Sequence, residues 1–192
     1  MIKYLLDNHY KTTMYKKGEV IYHAHTMPRS VYFIKSGRVR MVTVNDEGKE
    51  FIQGLFKTGE YFGEPALLLN KKYLADTIAT QDTEIIAVNR TQFLQLLEEH
   101  REFSMDLIRT MSSRLFYKSM MLEELANEQA DHRISTLLNY LLGDLQPGEE
   151  LKLTRQQLAD MSGLRVETVI RAIKKLSDQQ QFKLIKGKLF KK

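Results

Sequence analysis

The feature that most restricts what this chain can become is a change of hydrophobic period near residue 89. Ahead of it, from Tyr15 to Val88, apolar residues come in short runs divided by turn formers: Lys17-Gly18-Glu19, Val31-Tyr32-Phe33-Ile34, Ser36-Gly37, then Arg38 to Val44. In the last run Arg38 and Arg40 alternate with Val39 and Met41, a period of two that marks a half-buried strand. Asn45-Asp46-Glu47-Gly48 supplies a hairpin turn into Phe51 to Phe56. Gly59, Gly63 and Pro65 break regular structure, and Glu84 to Val88 reads as the last strand. Evenly spaced short strands predict a sandwich or a jelly-roll barrel.

Beyond Asn89 the text turns helical, with little Gly or Pro from Thr91 to Leu142. Ile108, Met111, Leu115, Lys118, Leu122 and Leu125 recur at spacings of three and four, a heptad seam with one lysine inside it. The stripe packs either on the chain's own barrel or against a second copy in a dimer. A polar residue that fixes register favours the dimer, where Lys118 would pair with Glu123 or another partner carboxylate. Asp144 to Glu150, with Pro147 and Gly148, reads as a connection to a final domain.

That last segment sets the charge. Residues 151 to 192 carry 11 Lys/Arg against 3 Asp/Glu, a net of +8, whereas residues 1 to 150 carry 18 against 21, a net of −3. A basic segment on a near-neutral body suits a polyanionic partner, because each neutralised phosphate releases counterions. A solvated basic tail would look the same. The absence of cysteine excludes disulfides, thiolate zinc sites, cysteine-bound iron-sulfur clusters and cysteine nucleophiles. No apolar run approaches the roughly 20 residues that span a bilayer, so a cytoplasmic protein with no membrane partner is expected.

The basic segment opens with Leu153-Thr154-Arg155-Gln156-Gln157-Leu158, a capping box in which the Thr154 hydroxyl accepts from the Gln157 amide and the Gln157 side chain reaches back. A helix from Arg155 to Ser162, a turn at Gly163 and a second helix to about Ser177 make a helix-turn-helix. On the second helix Val166, Val169, Ile173 and Leu176 fall on one face, and Glu167, Ile170, Arg171 and Lys174 on the other. Arg171 could read guanine and Glu167 cytosine, although the same two residues could form an ordinary (i, i+4) ion pair. Phe182 to Phe190 reads as a hairpin turning at Lys186-Gly187. Its lysines, Lys186 and Lys188 among them, suit phosphate contacts and make the domain a winged helix.

These residues resemble the Crp/Fnr family, from Lys17-Gly18-Glu19 to the wing. The most specific likeness is Leu153-Thr154-Arg155-Gln156-Gln157-Leu158-Ala159 followed by Gly163-Leu164-Arg165-Val166-Glu167-Thr168-Val169-Ile170-Arg171, similar to that family's helix-turn-helix and closest to its Fnr branch. Asp46-Glu47-Gly48-Lys49-Glu50 and Gly59-Glu60-x-Phe62-Gly63-Glu64 resemble its cyclic-nucleotide-binding fold. The resemblance implies an α+β fold: an N-terminal β-roll or jelly-roll barrel over 1–99 that senses an effector, a dimerisation helix over 100–127, and a winged helix-turn-helix over 128–192. It further implies a homodimer on double-stranded palindromic DNA, with RNA polymerase a further candidate partner. Base contacts are expected from Glu167, Arg171, Arg165 and Ile170. Phosphate contacts are expected from Thr154, Arg155, Gln156, Thr168, Lys174, Lys186 and Lys188.

The effector pocket implied by the resemblance involves Glu64, Tyr73, Lys118 and Ser119, and here the chain departs from the family. Where cyclic-AMP-binding members carry Arg-Ser, this chain has Tyr73-Leu74, and Lys118 replaces the threonine that faces adenine. Cyclic AMP is therefore not the expected effector; the effector is left unassigned and no cofactor is expected. Lys71, Lys72 or Lys118 could serve another anion. His23 and His25 alternate as strand neighbours would, but surface histidines are commoner than ligands and no metal is assigned. Met105, Met111, Met120 and Met121 read as adaptable core filler. Arg165 stands where a Ser, Thr or Asp cap is usual and is either a DNA contact or simply exposed. A sequence-specific regulator is the leading function. The alternative is a small-molecule-binding module whose helix-turn-helix makes protein contacts. An enzyme lacks support, with no phosphate-cradling loop, metal cluster or nucleophile with a spaced base.

Overall fold

The structure is a computed structural model that describes residues 1–126, 129–143, 145–177 and 182–192. The chain divides into two compact units, Met1–Ile108 and Arg109–Lys192. In the first unit a short helix α1 (Ile2–Asp7) leads into β1 (Thr12–Tyr15), β2 (Val20–Tyr22), β3 (Ser30–Ser36), β4 (Arg38–Val44), β5 (Glu50–Lys57) and β6 (Tyr61–Phe62). There follow α2 (Glu64–Leu69), β7 (Asp76–Ala79), β8 (Thr83–Asn89), α3 (Arg90–Glu99) and α4 (Arg101–Ala126), which continues into the second unit.

The strands form two antiparallel four-stranded sheets, ordered β1-β8-β3-β6 and β2-β7-β4-β5, the jelly-roll-like roll that the strand spacing predicts. Their inner faces meet on one cluster: Ile34, Phe62 and Ile85 from the first sheet, Tyr22, Val39 and Phe56 from the second. The alternation in β4 does not run through as predicted. A register shift between Met41 and Val42 turns Val42 into the core beside Val39 and leaves Met41 only half-buried. Pro65 does not break structure either; it sits in the first turn of α2, where its missing N–H costs nothing. His23 and His25 lie past the end of β2, with His25 at φ 64°, so they do not share a strand face. His23 instead lies 3.4 Å from Asp76, and among the described residues no group of three or more His, Asp or Glu could hold a metal.

Over its described residues the long helical stretch forms three helices. Asn89 caps α3 through a box with Gln92, which the sequence reading did not single out. In the second unit α5 (Ala130–Gly143), β9 (Glu150–Leu151), α6 (Arg155–Ser162), α7 (Val166–Ser177), β10 (Phe182–Ile185) and β11 (Lys188–Lys191) follow the end of α4. Ile134, Leu137, Leu138 and Leu142 of α5, Leu158 of α6 and Val169, Ala172 and Ile173 of α7 are buried. The predicted connection ends as a strand, since Glu150 and Leu151 pair with Phe190 and Leu189 to give the sheet order β10-β11-β9. Its start at Asp144, and the expected boundary between 127 and 128, lie outside the described residues. No described helix is long and apolar enough to cross a membrane.

Candidate nucleic-acid interface

The helix-turn-helix forms where local chemistry requires it. Thr154 Oγ1 accepts from the Gln157 amide at 3.1 Å, and the Gln157 side chain accepts from the Thr154 amide at 2.9 Å, closing the predicted capping box. At the other end Gly163 takes φ 69°, a left-handed conformation that glycine adopts without a Cβ clash, and the Leu164 amide reaches back to the Ala159 carbonyl. The turn is braced from inside by Ser162, whose buried hydroxyl donates to the Leu158 and Ala159 carbonyls. Arg165 stands at the entry to α7, its carbonyl accepting from the Thr168 and Val169 amides while its side chain is exposed.

The faces of α7 separate as the sequence predicts. Val169, Ile173 and Leu176 are buried, joined by Ala172, and Val166 is half-buried. Glu167, Ile170, Arg171 and Lys174 are exposed, and Thr168 is half-buried. Among the described residues, Glu167 and Arg171 form no ion pair with one another. The wing is a hairpin pairing Phe182 to Ile185 with Lys188 to Lys191, and it turns at Lys186-Gly187.

Four of the expected phosphate contacts already have partners within the chain, Thr154 through the capping box just described. Arg155 donates through Nη2 to the Gly187 carbonyl at 2.8 Å, tying the start of α6 to the wing tip, and burial lowers its guanidinium pKa. Gln156 donates to Asp160 at 2.8 Å, and Lys188 reaches Glu150 at 3.0 Å. Thr154, Lys174 and Lys186 are exposed.

The interior of the roll is aromatic. Tyr73 is 4% exposed, its ring stacks on Tyr22 at 3.7 Å, and its hydroxyl donates to the Ser30 carbonyl. Tyr32 stacks on Phe62 at 5.4 Å, and Phe56 packs against Phe62. Burial drives the Tyr22 and Tyr73 phenol pKa values well above the ordinary tyrosine value. Glu64 opens α2 and is fully buried. Lys118 and Ser119 belong to the other unit, on α4, and both are exposed; Ser119 donates to the Leu115 carbonyl. Partial desolvation of the Lys118 ammonium, then the charge of Arg114, lower its pKa.

Two family models match: a cyclic nucleotide-binding domain over residues 12–100 and a Crp-like helix-turn-helix domain over 132–189. The chain is similar to the cAMP-activated global transcriptional regulator CRP of Haemophilus influenzae, with 30% identity over 171 residues that cover 86% of this chain and 76% of that one. It belongs to the Crp/Fnr family of transcriptional regulators. It is also similar to the cyclic AMP receptor protein of Thermus thermophilus, 28% identical over 181 residues covering 94% of this chain and 83% of that one. Among solved structures, a CRP/FNR-family transcriptional regulator from the same organism superposes with a TM-score of 0.68 at 26% identity, covering 95% of this chain and 93% of that one. The expectation of a regulator rather than an enzyme agrees with what these relatives are.

In this Crp/Fnr chain the α4 stripe is exposed: Ile108, Leu115, Leu122 and Leu125 face outward with Phe116 beside them, and Met111 is half-buried. Of the methionines read as core filler, Met121 is buried and Met105 is 42% exposed. One residue that shapes the site escaped the sequence reading. Arg133 of α5 is buried and donates to the Ser162 carbonyl at the end of α6. Its signal was available: an arginine within the apolar face of Ile134, Leu137 and Leu138 needs an internal acceptor.

Proposed function

We propose that the protein is a homodimeric, sequence-specific DNA-binding regulator that reads a palindrome with α7, steadies the duplex with its wing and does not answer to cyclic AMP. The carrying observation is the outer face of α7. Glu167, Ile170, Arg171 and Lys174 are exposed, and no charged side chain among them has a partner within the described chain. Arginine bonds guanine O6 and N7 in bidentate fashion, glutamate accepts from cytosine N4, and an exposed aliphatic side chain suits a thymine methyl. Arg171, Glu167 and Ile170 take those roles, with Arg165 at the helix entry reaching a base edge or its phosphate. Thr154, Gln156, Thr168, Lys174 and Lys186 meet phosphates. Arg155 holds the wing in place beside them, and Lys188 exchanges Glu150 for a phosphate, since an exposed ion pair is worth only about 0–1 kcal/mol.

The dimer is supported by the exposed α4 stripe, which is too apolar and too regular to be left in water. A cyclic nucleotide does not fit the residues present. Its phosphate charge needs a bidentate cation, whereas Tyr73 offers a neutral phenol already committed to Ser30 and Tyr22. No effector or cofactor is assigned. The protein acts in the cytoplasm, with RNA polymerase as a further partner.

Binding-site selection from random duplexes tests this reading. The expected product is a palindrome with half-sites about 34–36 Å apart, each containing a G·C pair, within a TGA-like core. It should be unchanged when cyclic AMP is added. No enrichment, enrichment of a single unrepeated site, or a product that depends on cyclic AMP would contradict it.

A further inference from the structure

Arg133 lies on the buried face of α5 and is 8% exposed, where a guanidinium must spend its donors on internal acceptors. Nε and Nη2 point at the Glu124 carbonyl, at 3.4 and 3.2 Å, in the last described turn of α4. Nη1 points at the Ser162 carbonyl, at 3.3 Å, on the last residue of α6. Carbonyls at helix C-termini carry partial negative charge and are stabilised by a cation. One guanidinium therefore holds the end of the long helix and the end of the first recognition-unit helix at once.

Glu124 is held a second time through its side chain. Glu124 is 5% exposed, with Oε2 2.6 Å from His132 Nδ1 and Oε1 accepting from Thr136 at 2.8 Å. Both partners stand on α5, as Arg133 does. The carbonyl and carboxylate of one α4 residue are thus bound by three residues of α5, His132, Arg133 and Thr136, and α5 passes the constraint to α6 through Arg133. Lysine could not do this, since its single ammonium is a point charge and not a planar fork.

We propose that Arg133, seated on Glu124, is a positioning residue that fixes the direction in which the helix-turn-helix leaves α4, and with it the separation at which two copies present α7 to DNA. This rests on the dimeric reading above. Arg133 touches no DNA in this account; it acts on the geometry that lets both half-sites be held together. Simultaneous engagement of two sites multiplies affinity by roughly 10²–10⁴, and that gain is lost when geometry forbids it.

The test uses the full chain and two duplexes: the selected palindrome, and the same duplex with one half-site replaced by unrelated sequence. Affinities are measured by fluorescence anisotropy for the wild type, Arg133→Met and Arg133→Lys, alongside thermal unfolding. Both variants should lose about 10-fold or more on the palindrome while staying within about 2-fold of wild type on the single half-site, because only avidity is removed. Should Arg133→Met fail to fold, Arg133→Lys keeps the charge and the stem and carries the same comparison. Equal losses on the two duplexes would overturn the proposal, since they would mean general damage to the recognition unit. A wild type that gains nothing from the second half-site would overturn the dimeric reading and this proposal with it, and the wild-type arm alone would reveal that.

Discussion

The interior of the β-roll and the outer face of α7 use polar side chains in opposite ways. In the roll, Tyr22 and Tyr73 are buried, stacked on one another, and Tyr73 spends its hydroxyl on a backbone carbonyl. On α7, Glu167, Arg171 and Lys174 stand in solvent with no partner in the described chain. Polar groups committed internally specify a fold, while polar groups left uncommitted on a rigid element cost little and are available to a ligand. The contrast supports the proposal that base contacts come from α7, while the rings of the first unit are packed on one another.

Substitutions in each region put that contrast to the test. The largest effect is expected from Phe62→Ala, which removes a fully buried ring touching Tyr22, Tyr32 and Phe56. It should cost about 3–5 kcal/mol in denaturant unfolding. The fraction that remains folded should select the same DNA site as the wild type. A changed site would show that the interior takes part in recognition.

Lys186→Ala at the wing tip should leave stability within about 0.5 kcal/mol. It should weaken binding to all sequences alike and lower the slope of log affinity against log salt by about 0.9, as for one lost phosphate contact. A loss confined to one sequence would place Lys186 on a base instead.

The smallest effect concerns the Glu124–His132 pair, since His132 is largely exposed. The hydrogen bond to Glu124 raises the His132 pKa above its ordinary 6.5. Burial alone would raise the Glu124 pKa, but hydrogen bonds from His132 and Thr136 outweigh it and bring the carboxyl below its ordinary 4.5. The raised His132 value contributes stability below pH 6.5 that is lost as pH rises through the folded-state pKa. The lowered Glu124 value contributes stability above pH 4.5 that is lost as pH falls. The pair therefore stabilises most between those limits. The thermal midpoint of wild type should exceed that of His132→Gln by the greatest margin near pH 5.5 and by less above the raised His132 pKa. A margin constant with pH would show that the contact is not charge-assisted.

What was legible in the sequence was what neighbours decide. The Thr154–Gln157 box, the Gly163 turn, the wing turn at Lys186-Gly187 and the two faces of α7 all follow from spacings of a few residues, and each is present. What was not legible depends on residues far apart in the chain. The shift at Met41 needs β5 opposite it, Lys188 meets Glu150 only because β9 joins the wing sheet, and Arg133 reaches Ser162 across 29 positions. Tyr73 was read as the loss of an arginine. Its positive role, as a ring packed on Tyr22 from 51 positions away, could be found only in three dimensions.

The proposed reading of a base by Arg171 is open to binding-site selection on Arg171→Ala beside wild type at matched salt. The variant should stay folded, lose about 1–3 kcal/mol on the best wild-type site and no longer prefer G·C at one position of each half-site. An unchanged consensus at every position would contradict it and leave Glu167 and Arg171 as ordinary surface charges.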